Sequence, residues 1–231
     1  RHICRILQYP GAYLGWGWRR LLHGRGATLS EVAIESWEVS PAQETDGRPA
    51  VFPDGALDRI RGLSPWRDWQ VEKALIDGAT AHHHPTRAFV LTDAVIAGPY
   101  FYCGAWKERI GAEAPSHGSP ALPTRQEIEN AHLATTWTGA DFFGNFLLDS
   151  FPLEMIPGDA ETRIGAPGKP YRHEVGYRDL LGLPQPWMPG HARIRHLTVY
   201  SDFAQNPFKE SRYRQLRDRL SRRLGGQVSR P

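Results

Sequence analysis

Thr136-Trp137-Thr138-Gly139-Ala140-Asp141-Phe142-Phe143-Gly144-Asn145-Phe146-Leu147-Leu148-Asp149-Ser150-Phe151-Pro152 decides how the chain is read. It runs from a strand end through a glycine and an acid into an amphipathic segment. Asp141 stands where a helix N-cap belongs, because a short side-chain oxygen accepts from the unpaired N–H groups of a first turn. From Phe142 to Met155, Phe143, Leu147, Phe151 and Met155 recur every four residues, which predicts one helix with a buried stripe. Asn145 and Asp149 are also four apart and share a face. Pro152 has no N–H to give the Leu148 carbonyl, so a kink is expected there.

Outward from this stretch the pattern alternates. Residues 126–131 read as a short helix and 132–137 as a strand, followed by a polar, Gly/Pro-rich connection, a short helix over 177–181 and a strand over 194–200. The last element is a helix with Asn206 as N-cap, Pro207 in its first turn, Leu216, Leu220 and Leu224 as a stripe, and Gly225-Gly226 as the stop. Strand, helix, strand, helix predicts an α/β fold. Upstream, Phe89-Val90-Leu91, Val95-Ile96-Ala97 and Tyr100 to Cys103 are short strand-forming runs split by Thr92-Asp93 and Gly98-Pro99, which predicts a small antiparallel β meander. Glu31 to Val39 stays open between helix, favoured by a Thr28/Glu31 capping box, and strand, favoured by Val32 and Ile34 in alternation. The Pro/Gly/Ser-rich stretch marks a loop or boundary, dividing the chain into 1–110 with the meander, 111–125, and an α/β part over 126–231 ending in an Arg-rich helix.

The 231 residues, 40% hydrophobic and 11% aromatic, supply enough apolar matter for a folded core. A net charge of +3 is spread over 28 basic and 25 acidic residues, mostly interleaved, which argues against a nucleic-acid footprint. Two cysteines, Cys4 and Cys103, are too few for a disulfide framework, so a reducing, cytoplasmic setting is expected. No run approaches a membrane span, and any membrane association is expected to be peripheral. The chain opens at Arg1 without methionine, which suggests a piece of something longer.

A carboxylate beside a kink near a strand end lies where α/β proteins place ligands. Asp149, with Asn145 on the same face, is therefore a candidate ligand contact. Taken singly, Asp141 reads as a cap and Asp149 as a solvated charge. Trp137 and Trp106 are candidate stacking platforms for a sugar ring, whose C–H face packs on an indole. His82-His83-His84 does not read as a metal site, because consecutive residues of an extended segment point to opposite faces and no Cys or acid stands at ligand spacing. One of the three could line an acceptor cleft. Cys103, set among aromatics, reads as a small apolar packing group. The arginines of the last helix, Arg212 to Arg223, read as a solvated face partnered by Glu210 and Asp218, with peripheral membrane contact as a minor addition. A hydrolase using Asp141 and Asp149 is disfavoured, since two helical turns would hold them about 12 Å apart, beyond the range of paired carboxylates.

Phe146-Leu147-Leu148-Asp149-Ser150-Phe151-Pro152, after a meander and before a strand and an Arg-rich helix, resembles the N-terminal half of family 61 glycosyltransferases of surface and capsular polysaccharide biosynthesis. The similarity covers roughly Thr80 to Leu224 in element order. It implies a GT-B-like acceptor-side domain and an inverting transfer of a sugar from a nucleotide donor to a saccharide hydroxyl, with no cofactor or metal beyond that nucleotide-sugar substrate. The family's usual histidine stands here as Asn145, so a different base or acceptor geometry is implied: Asp149, Asp141, His132 and Glu154 are then the candidate bases, and Asn145, Trp137, Thr138 and Glu154 the candidate substrate contacts. Nothing after Gly226 is long enough to supply the family's donor-binding half. A non-catalytic carbohydrate-binding or scaffold domain is the alternative.

Overall fold

Thr86–Ala97 is a single strand that continues across Thr92-Asp93, where the sequence predicts a break. The computed structural model describes residues 10–111, 126–158, 161–165, 173–203 and 205–225. In chain order the elements are α1 (Pro10–His23), α2 (Leu29–Val32), β1 (Glu35–Ser40), β2 (Gln43–Thr45), α3 (Trp69–Ile76), β3 (Ala81–His83), β4 (Thr86–Ala97), β5 (Tyr100–Cys103), β6 (Trp106–Arg109), β7 (Gln126–Leu133), α4 (Trp137–Asp141), α5 (Phe143–Asn145), a π-helical turn (Phe146–Ser150), α6 (Phe151–Leu153), β8 (Arg163–Ile164), α7 (Glu174–Leu181), β9 (His191–Ser201) and α8 (Pro207–Arg223). The open segment after Thr28 resolves into both readings in turn. The Thr28/Glu31 capping box starts α2, and β1 begins three residues after it ends.

Two of the expected meander strands are therefore one. Asp93 lets β4 pass by adopting a φ of 54°, which a short polar residue tolerates. Its carboxylate accepts from Arg193 Nε across the ladder at 2.7 Å. One edge of β4 carries β1 along its first half and β5 along its last residues, and the other edge pairs antiparallel with β9. β7 lies parallel to β9 and β8 parallel to β7, giving a mixed open sheet in the order β6-β5-β4-β9-β7-β8 with β1 beside β4. Strands from 1–110 and from 126–231 thus share one sheet, while residues 112–125 of the expected boundary lie outside the described residues. Leu91, Ile96, Phe101, Ile194, Leu197 and Trp106 form its buried centre. The fold is α/β as expected. Trp106, at 3% exposure, cannot stack on a sugar, and Cys103 packs in the same core with its thiol held protonated by burial and donating to Thr92 O.

Two local expectations fail for physical reasons. Gln126–Leu133 is a strand, not a helix followed by a strand, although Gln126 to Ala131 has helix-forming composition. Parallel pairing with β9, including Ile128 opposite Ile194 and Ala131 opposite Leu197, overrides propensity. The helix expected over 142–155 is broken into pieces. Thr136, not Asp141, is the N-cap, its Oγ1 accepting from Gly139 N at 3.0 Å. Asp141 ends α4, and Phe142 is extended.

The π-helical turn changes the spacing of the apolar stripe. Phe151 N–H reaches back five residues to the Phe146 carbonyl. Phe146 and Phe151, five apart, become the buried pair at 4.6 Å between ring centroids, while Phe143 is left exposed. They pack with Leu183 and Leu216, joining the helical run to α7 and α8 in a second core. Pro152 leaves the Leu148 carbonyl without its usual donor, and the Tyr213 hydroxyl of α8 donates to it at 2.5 Å. Gly139 is required by this folding back, since a Cβ there would lie 2.1 Å from Ser150 Oγ.

Candidate functional site

β7 and β9 run parallel, so their C-terminal ends open at the same end of the sheet, and each leads toward a capped helix start, Thr136 for α4 and Asn206 for α8. Between the end of β9 and the paired strands β2 and β3 lies a cleft of about 390 Å³ lined by His82, His83, His84, Ser201, Phe203 and Gln205. A smaller hollow of about 290 Å³, lined by Thr45, Gln205, Lys209 and Tyr213 among others, adjoins it through Gln205.

Gln205 links this region to Asp149. Its Nε2 donates to Asp149 Oδ1 at 3.3 Å, Lys209 Nζ approaches the same oxygen at 3.2 Å, and Asn145 Nδ2 donates to Oδ2 at 2.9 Å. The expected sharing of a face by Asn145 and Asp149 is thus a direct hydrogen bond. An ionised carboxylate has roughly four lone-pair positions, so these donors leave about one open. Asp149 keeps 18% side-chain exposure, and Gln205, the longest of its contacts, is itself exposed.

Behind Asp149 lies a buried ionic network. Asp202, just past β9, takes a two-pronged contact from Arg212, Nη1 to Oδ2 and Nη2 to Oδ1, both at 2.8 Å. Thr86 Oγ1 donates to Asp202 Oδ1 at 2.9 Å, Lys209 Nζ donates to the Asp202 carbonyl at 3.0 Å, and Arg212 Nη1 also donates to the Pro152 carbonyl. Arg212 is thus enclosed, not part of a solvated face as the sequence suggested, whereas Arg214 and Arg217 do lie outside beside Glu210 and Asp218. Sequence reasoning passed over Lys209, Asp202 and Gln205 and put Arg212 on the wrong face. A readable clue existed: continuing the Leu216–Leu220–Leu224 stripe back toward the helix start lands on Arg212 and Lys209.

The other candidates sit apart. Asp141 Oδ2 accepts from Arg109 Nη2 at 2.7 Å, tying α4 to the end of β6. Thr138 Oγ1 lies 3.1 Å from Thr136 Oγ1 at the same helix start, and Trp137 is exposed. His132 is stacked on Tyr200, with its Nδ1 2.7 Å from the hydroxyl and its Nε2 3.5 Å from Glu161. Burial holds the Tyr200 hydroxyl protonated, its pKa pushed up to about 12, and lowers that of His132. The hydroxyl and Nδ1 share one hydrogen bond whose donor is set by the imidazole tautomer, and Nε2 faces Glu161. Tyr200 and Ser201 are consecutive in β9 and leave opposite faces of the sheet, so His132 does not share the face of the Ser201-lined cleft.

Glu154 is sealed with 0% side-chain exposure between Arg163 and Arg178, each at 2.7 Å. The N–H groups do not aim along these contacts, so the pairing is one of charge more than of directed hydrogen bonds. Burial pushes the Glu154 carboxyl up against the opposing pull of both guanidiniums. Glu154 has no face for a substrate, which removes it from the expected contacts.

His82 Nδ1 lies 2.8 Å from Glu44 Oε1, an acid that the β2–β3 pairing brings from far upstream and that sequence spacing did not reveal. Even so, no three ligating His, Cys, Asp or Glu side chains gather among the described residues. Among those residues, too, no helix is long and apolar enough to cross a membrane. Set against known protein families, curated proteins and solved structures, the chain finds no match.

Proposed function

We propose that the chain is the acceptor-side part of an inverting, nucleotide-sugar-dependent glycosyltransferase of the family 61 type, with a GT-B-like arrangement, acting in surface polysaccharide biosynthesis. The observation that carries this reading is Asp149. It rides on a π-helical turn, a feature frequent at functional sites, keeps part of its side chain in solvent, and is bonded to Gln205, which lines a cleft large enough for a sugar unit. In this reading Asp149 accepts the proton of an acceptor hydroxyl as its oxygen bonds to the anomeric carbon, and the bond to the departing nucleoside diphosphate breaks. The acceptor hydroxyl takes the place of Gln205 on Oδ1, and Lys209 with Asn145 holds the carboxylate in position. Exposed Trp137 offers a surface for a sugar ring. Neutralising the diphosphate falls to a donor-binding half.

Asp149→Asn in a sugar-transferring preparation tests the base. Turnover is expected to fall by about 10²–10⁴-fold with the circular dichroism spectrum unchanged; full turnover would remove Asp149 from the chemistry. A second reading, a carbohydrate-binding domain without catalysis, draws on the three donors that already engage Asp149. The same variant separates the two: loss of saccharide binding by the 231-residue chain, with no transfer to lose, favours the binding domain.

A further inference from the structure

Thirty residues pass before the first acid, Glu31, yet Arg1, Arg5, Arg19, Arg20 and Arg25 stand within them. The other 201 residues hold all 25 acids, so the bias belongs to this end of the chain. Here α1 is built. Its inner side carries Trp16, with Lys107 of β6 4.5 Å from the indole centroid and Arg20 stacked at 5.3 Å. Its outer side carries Leu14, Trp18, Leu21 and Leu22, spaced i, i+4, i+7 and i+8. They are 46%, 60%, 75% and 72% exposed.

That is one continuous apolar face on a helix without an acid, with exposed His23 at its last residue and exposed Arg25 just beyond, while Arg20 lies on the Trp16 side. Glu31 is shared by Arg25 at 3.1 Å and Arg19 at 2.6 Å, and hydrogen bonds from Arg25 and from Thr28 hold its pKa down at about 2. Ionised Glu31 offsets one of the three charges of Arg19, Arg20 and Arg25, so the local balance remains positive. A second copy of the chain would bring two such cationic faces together, which repulsion opposes. An anionic lipid surface satisfies both halves of the pattern: the leucines and Trp18 enter the boundary between headgroups and acyl chains, and the arginines meet lipid phosphates.

We infer that α1 is an interfacial helix that docks the protein on anionic membranes, lying in the surface without crossing it. The inference stands apart from the sugar-transfer reading, and it places membrane contact on α1, not on the arginine-rich α8. The test is flotation of the 231-residue chain with vesicles of about one part phosphatidylglycerol to three of phosphatidylcholine, beside pure phosphatidylcholine vesicles. Bound protein is expected to be about tenfold higher on the anionic vesicles and to fall as salt is raised. Leu21→Glu/Leu22→Glu should abolish flotation with the circular dichroism spectrum unchanged, since both side chains are exposed. His23→Glu/Arg25→Glu should reduce binding to the neutral-vesicle level. Absence of flotation by the unaltered chain overturns the inference, as does flotation that survives Leu21→Glu/Leu22→Glu. A concentration-dependent dimer that this pair dissolves also overturns it and assigns the face to a second copy.

Discussion

Two buried ionic knots, built from the same residue types, hold the helical layer to the sheet. Around Asp202, each charge meets an aligned partner: two guanidinium nitrogens, the Thr86 hydroxyl and, beyond them, Lys209 leading out to a partly exposed Asp149. Around Glu154, Arg163 and Arg178 close completely, with Glu174 as a further partner of Arg178. The first knot opens on one side and can hand a carboxylate to a ligand. The second has no outlet, and its cost of desolvation is offset only by internal attraction. An acid's position in sequence therefore says less about its role than the direction in which its cluster opens.

The sharpest way to break this contrast is to neutralise each central acid. Glu154→Gln leaves buried Arg163 without an acid and Arg178 with Glu174 alone, and should lower the unfolding free energy by about 4 kcal/mol. Asp202→Asn should cost about 3 kcal/mol, because Lys209 keeps Asp149 as a partner. Denaturant titration reads both, and a larger loss at Asp202 would reverse the assignment of open and closed. Next in size is Gly139→Ala, expected to destabilise by about 2 kcal/mol through the forced contact with Ser150. Adding Ser150→Ala, which removes a buried hydroxyl without a partner, should restore part of that loss. Tyr213→Phe leaves the Leu148 carbonyl unpaired and should cost about 1 kcal/mol while leaving the Glu154 knot untouched.

The smallest effect is a pH slope. Burial lowers the His132 pKa below its ordinary 6.5, so below that value the unfolded chain binds more protons than the folded one. Stability is fully present above 6.5 and declines as pH falls toward the folded value. His132→Asn should flatten that decline relative to the unaltered chain, and an unchanged slope would place the titration elsewhere.

Sequence carried the α/β class, strand β9, helix α8 with its Asn206 cap, and the shared face of Asn145 and Asp149, because each rests on local periodicity or capping chemistry. It missed the continuity of β4, since Asp93 in a left-handed conformation looks like a break when only residue type is visible. It assigned a helix to β7, whose strand conformation comes from β9, distant in the chain. The Asp202 knot was hidden for the same reason: Thr86, Pro152, Asp202 and Arg212 meet only after folding. The four-residue spacing of Phe143, Leu147, Phe151 and Met155 was real, but a five-residue hydrogen bond replaced it.

That wider turn means the segment is one residue longer than a regular helix between the same two ends would need. The surplus residue works as a shim. Each residue removed from a helix turns whatever follows by about 100°, so excising Leu147 or Leu148 would swing the carboxylate away from Lys209 without altering a single remaining side chain. The orientation of Asp149 is thus set by a count of residues, and a related chain could lose or redirect it through a one-codon deletion as readily as through a substitution.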